Sequence, residues 1–172
     1  GSVAKIKAAY RFFENSNVDM QTLLRPHIES TIGRLRSHPV VLAVQDSTTL
    51  TYTAHPPEGA GPINTSQNSA VGLMVHDTMA FTPEGTPLGL LNVQCWARDP
   101  DQMGKKHRRH QLPIEEKESL KWLTSYRAGA EIQKLCPDTM LVSVGDRESD
   151  LYDLFHEAAQ DPSGPKLLVR AE

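Results

Sequence analysis

Hydrophobic and polar positions change their period several times along the chain, and each change marks an element. In VAKIKAAYRFFEN, residues Ile6, Ala9, Tyr10 and Phe13 recur at helical spacing and predict a first helix. NSN interrupts it, and Asn17 supplies a cap for a second helix over roughly 18–36. Met20, Leu23, Leu24, Ile28, Ile32 and Leu35 are its apolar positions, and Pro39 stops it. Residues 40–45 form a continuous apolar-leaning run, the pattern of a strand covered on both faces. HPPEGAGPINTS, 55–66, is dense in Pro and Gly and predicts a loop. SAVGLMVHDTMAF and PLGLLNVQCWA predict two longer strands, joined as a hairpin through TPEGT.

Residues 99–113 are polar and basic, again a loop. IEEKESLKWLTSYRAGAEIQKL has good helix propensity, with acidic residues in its first turn where the helix dipole favours them, and Pro137 ends it. A second fully buried strand is expected at 139–145, a short helix at 149–159, and a last strand, KLLVR, at 166–170. The expected order is helices followed by β-β-β-α-β-α-β, an α/β fold with a mixed five-stranded sheet.

Two of these strands run into an aspartate. VVLAVQDSTTL reaches Asp46, and TMLVSVGDRESDLYDLF reaches Asp146. If the first and fourth strands lie side by side and parallel, both carboxylates reach one sheet edge, where ligands bind in open α/β sheets. Paired carboxylates suit Mg²⁺, which takes oxygen ligands and keeps waters for substrate phosphates. Two such ions about 4 Å apart activate a water and stabilise the leaving oxygen of a phosphodiester. A plainer reading stands beside this one: Asp46 initiates a turn and Asp146 caps the following helix. Asp150, four residues after Asp146, either faces the same site or is exposed on its helix.

Composition narrows the class. The 172 residues, 38% hydrophobic and 23% charged, suit one globular domain rather than a disordered chain. No apolar run reaches membrane-spanning length and no signal-peptide pattern opens the chain. Cys95 and Cys136 make no Cys-x-x-Cys pair and read as small core hydrophobes in a reducing compartment. The net charge of −3 does not advertise a nucleic-acid binder, but KKHRRH at 105–110 concentrates positive charge able to neutralise phosphates. His107 and His110 have a metal-like spacing that the surrounding cations oppose, and His76 reads as a satisfied core residue. No P-loop, dinucleotide fingerprint or nucleophile elbow is present.

AKIKAAYRFFENSNV, QDSTTLTY, EKESLKW and GDRESDLYDLF, in this order over nearly the whole chain, resemble matching stretches of bacterial cut-and-paste transposases with a DDE catalytic triad. The group is the insertion-sequence-four-like one that includes the transposase of transposon five. The resemblance implies a ribonuclease H-like fold, with Asp46 and Asp146 as the first two catalytic acids binding Mg²⁺ or Mn²⁺ in a two-metal site. It also implies that Thr48, Thr49 and Arg147 lie beside bound DNA and that Arg170 approaches the transposon end. Implied partners are double-stranded DNA, as transposon ends and target, and a second copy in a homodimeric synaptic complex. The implied location is the bacterial cytoplasm, at the nucleoid, with no membrane partner.

The chain departs from that pattern at both ends, the match beginning partway into the N-terminal DNA-recognition region and lacking the third acid. The third acid of such enzymes is a glutamate within Tyr-x-x-Arg-x-x-x-Glu-x-x-x-Lys, and no such spacing occurs in these residues. Glu172, at the end of the last expected strand, is on the wrong element to replace it. The expectation is therefore a helical segment at 3–37, a remnant of a DNA-recognition region, and a ribonuclease H-like core at 38–172 truncated before the third acid. Such a piece is expected to be inactive by itself, while its parent cleaves and joins transposon ends. A ribonuclease H-like nuclease and a non-catalytic DNA-binding or assembly module are the alternatives. Neutralising Lys105, Lys106, Arg108 and Arg109 should weaken duplex DNA binding and flatten its salt dependence, by about 0.9 in logarithmic slope for each phosphate no longer neutralised. Fluorescence anisotropy across a salt series measures that slope; an unchanged slope would show the cluster to be only a solvated loop.

Overall fold

In the computed structural model, residues 2–52, 54–64, 70–102 and 112–171 are described. The elements are α1 (Val3–Phe13), α2 (Met20–Leu35), β1 (Val40–Tyr52), β2 (Gly61–Pro62), β3 (Val71–Phe81), β4 (Pro87–Trp96), α3 (Leu120–Leu135), β5 (Met140–Gly145), α4 (Tyr152–Gln160) and β6 (Lys166–Val169). They form an α/β fold around a mixed, open sheet in the order β2-β3-β1-β5-β6, with β4 also on β3. β1 runs antiparallel to β3 from Leu42↔Phe81 to Tyr52↔Val71 and parallel to β5 from Val40↔Met140 to Val44↔Val144. β6 continues the parallel half beside β5. The first and fourth expected strands are therefore neighbours and parallel. Among the described residues the sheet has six strands rather than five, because the Pro/Gly-rich stretch expected to be a loop contributes the short β2 against β3.

Helices cover one face of this sheet. Leu35 of α2 and Ile132 and Cys136, from α3 and its end, pack on Val41, Ala43, Ala80, Leu91 and Leu141. Trp122, Leu123 and Tyr126 of α3 make a second cluster with Leu154 of α4, against which Leu167 of β6 packs. Burial along β1 and β5 consequently alternates, with Val41, Ala43, Leu141 and Ser143 buried and Leu42, Val44, Val142 and Val144 only half-buried. This corrects the expectation of two strands covered on both faces. Val and Leu suit a half-buried pleat as well as a sandwiched one, so an apolar run does not report how many layers lie against it.

α2 belongs to the same core. The Arg34 Nε–H donates to the Leu88 carbonyl at 2.6 Å, and the Leu90 N–H donates to His27 Nε2 at 3.2 Å. Gly89, at φ 136°, sits directly under the Thr31 hydroxyl, where any side chain would collide. The α2 cap is Asp19, whose carboxylate accepts the Thr22 N–H at 2.6 Å, instead of Asn17. α3 starts at Leu120, and Glu115 and Glu116 sit in a preceding 3-10 turn, Ile114–Glu116, instead of in its first helical turn. Thr82–Thr86 closes the β3–β4 hairpin through the Thr82 N–H to Thr86 carbonyl bond at 2.9 Å, with Gly85 at φ 91°. Cys136 is buried as expected, whereas Cys95 is exposed on β4. Among the described residues no helix is long and apolar enough to cross a membrane.

Leu141 is fully buried in the first cluster, where α2, α3 and β1 converge. Leu141→Ala should destabilise the chain by about 2–5 kcal/mol through reduced transfer energy and an incompletely collapsed cavity. Urea unfolding should show a lower midpoint with an unchanged slope.

Candidate active site

The β1–β5 ladder ends at Val44↔Val144, and Asp46 and Asp146 each stand two residues beyond that pair. Both therefore follow the same ladder by two residues, Asp46 within the continuation of β1 and Asp146 in the turn after β5. Asp46 is not at a strand end as expected, because β1 continues through it to Tyr52, held by β3. It is exposed because β5 stops beside it. Side chains alternate along β1, so Asp46 shares the half-buried face with Leu42, Val44 and Thr48, away from the helices. Its Oδ1 accepts the Ser47 N–H at 2.7 Å.

Asp146 follows β5 and opens the 3-10 turn Arg147–Ser149. Its Oδ1 accepts the Glu148 N–H at 2.9 Å, and its carbonyl accepts the Ser149 hydroxyl at 2.6 Å. The capping role of the plainer reading is thus real, and it leaves the other carboxylate oxygen uncommitted among the described hydrogen bonds. Gly145 lets this turn fold back. A Cβ there would run into Ser149 and would lie 3.2 Å from the Trp122 ring.

A third carboxylate escaped the sequence reading. Asp77 of β3 is the direct cross-strand partner of Asp46 and shares its face. Burial, and then the charge of Asp46, push its pKa above the usual carboxylate value. The signal for it is an aspartate in register with Val71, Leu73, Val75, Met79 and Phe81, all half-buried positions of one pleat face. Among the described residues no group of three or more His, Cys, Asp and Glu side chains converges as a metal cage. Asp46 and Asp146 are hard oxygen donors, each just past the β1–β5 ladder. Carboxylate oxygens are the donor type that Mg²⁺ or Mn²⁺ takes, one or two of them with retained waters.

Behind this face lies a buried polar chain. His76 is fully buried opposite Ser47, with its ring edge-on to Trp122 at 4.6 Å between centroids. The Gln45 amide nitrogen donates to the Ser143 hydroxyl at 2.8 Å, so Gln45 Oε1 faces His76 Nε2 at 3.2 Å as an acceptor. Nε2 therefore carries the proton, and Nδ1 accepts from the Ser47 hydroxyl at 2.8 Å. Burial, and secondarily the charge of Lys121, lower the His76 pKa to about 4, while Asp46 and Asp146 pull the other way. The satisfied core histidine expected from the sequence is present, but its partners flank Asp46.

The remaining expected site residues divide. Thr48 lies on the Asp46 face and Thr49 on the opposite one, and both are exposed. Arg147 is exposed in the turn after Asp146. Arg170 is exposed just past β6, and its N–H donates to the Gly145 carbonyl at 3.1 Å, which brings its backbone beside that of Asp146. Asp150 is exposed. Lys105, Lys106, Arg108 and Arg109, with His107 and His110, lie outside the described residues, as does Glu172. The chain on either side of that basic stretch is tied together by Arg98, which forks onto Glu118 at 2.5 and 2.9 Å and donates to the Ile63 carbonyl at 2.8 Å. Lys121 bonds Glu148 of the Asp146 turn at 3.1 Å. No protein-family profile matches the chain.

The histidine carries a pH dependence whose sign is fixed. Between its ordinary 6.5 and the folded value of about 4, the unfolded chain binds a proton that the folded chain refuses. Stability present above pH 6.5 is therefore lost as the pH falls toward 4, by roughly 3 kcal/mol in all. Urea midpoints between about pH 7.5 and 4.5 should fall more steeply for the wild-type chain than for His76→Gln.

Proposed function

We propose that this chain carries the metal-binding core of a DNA cutting-and-joining enzyme, a DDE-type transposase on a ribonuclease H-like fold. The observation that supports it most is the parallel β1–β5 pairing, which Asp46 and Asp146 each follow by two residues. Their types, spacing and neighbours agree with the motif resemblance in QDSTTLTY and GDRESDLYDLF.

In this reading Asp46 and Asp146 hold Mg²⁺ or Mn²⁺ through their carboxylate oxygens. When bound, the metal supplies an activated hydroxyl nucleophile and stabilisation of the leaving oxygen. The protein's own part is geometric and electrostatic. Asp146 is oriented by the Glu148 N–H, and its turn is held by the close approach of Gly145 and Ser149. Arg147 and Arg170 border Asp146 in the chain fold and are exposed, and guanidinium groups suit bidentate contacts to backbone phosphates. The Thr48 hydroxyl, on the Asp46 face, is a further donor to phosphate oxygens. Asp77 adds to the negative potential that a cation relieves. Double-stranded DNA is the substrate and partner of this reading, a second copy completes the synaptic complex, and the bacterial nucleoid is the setting.

The test is Mn²⁺ binding to the 172-residue chain, followed by the electron paramagnetic resonance signal of free Mn²⁺. Wild type should bind weakly, and Asp46→Asn and Asp146→Asn should each weaken binding about tenfold or more. Without a glutamate at the third position these residues should bind Mn²⁺ yet leave a duplex carrying a cognate end uncut. Wild-type affinity in both variants would remove the metal site from the proposal. Cleavage that disappears in Asp146→Asn would show that two acids suffice.

A further inference from the structure

Beyond Val44↔Val144 no backbone ladder joins β1 to β5 among the described residues, yet both acids lie there. β3 pairs with the Asp46 segment and β6 with Gly145, so direct β1–β5 pairing does not by itself set the separation of the two acids. A side-chain link supplements the ladder: Ser47 and Gln45, the two neighbours of Asp46, both bond to His76, and Gln45 reaches back to Ser143, within the paired part of β5. Residues on either side of Asp46 point into the helix-covered face, so the carboxylate between them is directed to the open face by the pleat alone. A slip of β1 by one residue would carry Asp46 into the core and expel its neighbours. It would also break every bond of this chain while leaving His76 buried, which makes the slip costly. Trp122 packs edge-on against the imidazole and restricts the positions open to the ring.

We propose that His76 is a positioning residue for the Asp46–Asp146 pair. It fixes the segment of β1 that carries Asp46 through Ser47 and Gln45, and ties that segment to β5 through the Gln45–Ser143 bond. It hydrogen-bonds to neither carboxylate side chain and takes no part in proton transfer. The chain runs from β3 through β1 to β5, so it spans the strands that carry Asp77 and Asp46 and lead into Asp146. The proposal rests on reading the acid pair as a metal site, and deepens it by naming what sets the geometry of that pair. Sites of this kind require placement within about 0.5 Å, and removing a group that orients a metal ligand typically lowers affinity about 10–100-fold.

The experiment compares Mn²⁺ binding and thermal unfolding in the wild-type chain, His76→Leu, His76→Gln and Ser47→Ala. His76→Leu should weaken Mn²⁺ binding about tenfold or more, measured well below its unfolding transition. His76→Gln keeps a donor and an acceptor and should recover most of that affinity. Ser47→Ala, which removes one bond and little volume, should weaken binding several-fold, and it decides the matter if His76→Leu does not fold. Folded variants with a lowered unfolding temperature and wild-type Mn²⁺ affinity would reduce His76 to a purely structural role and overturn the proposal. If the wild type itself binds no Mn²⁺, the metal reading fails separately. Spacing is then read from disulfide formation in an Asp46→Cys/Asp146→Cys chain lacking Cys95. Ser47→Ala should slow that cross-link several-fold, and an unchanged rate would overturn the positioning role.

Discussion

The pairing of β1 with β5 in parallel, at one register, is the constraint on which the rest depends. It sets two strands from distant parts of the chain side by side, so that residues 46 and 146 each follow the shared ladder by two positions. Parallel neighbours need a crossover, and the segment from β4 through α3 to β5 supplies it. α3 covers this sheet by packing Ile132 among Val41, Ala43, Ala80 and Leu141 and by setting Trp122 against the His76 ring. The consequence is a sheet with a packed side and an open side. The packed side holds the fold together, and the open side presents carboxylates.

The two sides communicate through single strands, because a pleat turns alternate residues to opposite faces. Gln45 and Ser47 are anchored in the packed layer and Asp46 faces outward between them. This arrangement keeps a charge out of the core while its backbone is held by buried bonds. Burial of a charged imidazole beneath the acids would be costly, and His76 meets that constraint by remaining neutral down to about pH 4. The same reasoning explains Asp77, whose partly buried carboxyl beside Asp46 resists ionisation.

Much of this was legible in the chain. The apolar runs before Asp46 and Asp146, the hairpin at TPEGT and the long helix α3 are local patterns, and the β-β-β-α-β order allowed the first and fourth strands to be parallel neighbours, as they are. Other features depend on tertiary context that periodicity does not encode. Where β1 stops is one: the hydroxyl residues Ser47, Thr48 and Thr49 after Asp46 suggest a turn, but the long ladder with β3 holds them extended. The importance of Asp77 is another, since only the register places it opposite Asp46. Asn17 gives way to Asp19 as the cap because α2 begins at Met20, which leaves Asp19 directly before the first turn to accept the Thr22 N–H. The roles of His76 and Gln45 become visible only when β3 and β5 stand on either side of β1.

The overhang of β1 has a consequence for association. From Gln45 onward the side of β1 that faces β5 lacks a ladder partner among the described residues, and an unpaired strand edge is a template on which another chain can add. Here the exposed edge reads Asp46, Ser47, Thr48, Thr49, Leu50, Thr51, a charge and hydroxyls with a single large aliphatic residue. Such residues stay well solvated and favour pairing with a foreign strand far less than Val or Ile would. The polar stretch that begins at the candidate site thus also discourages sheet-to-sheet aggregation, so that chemistry and solubility make the same demand on these positions.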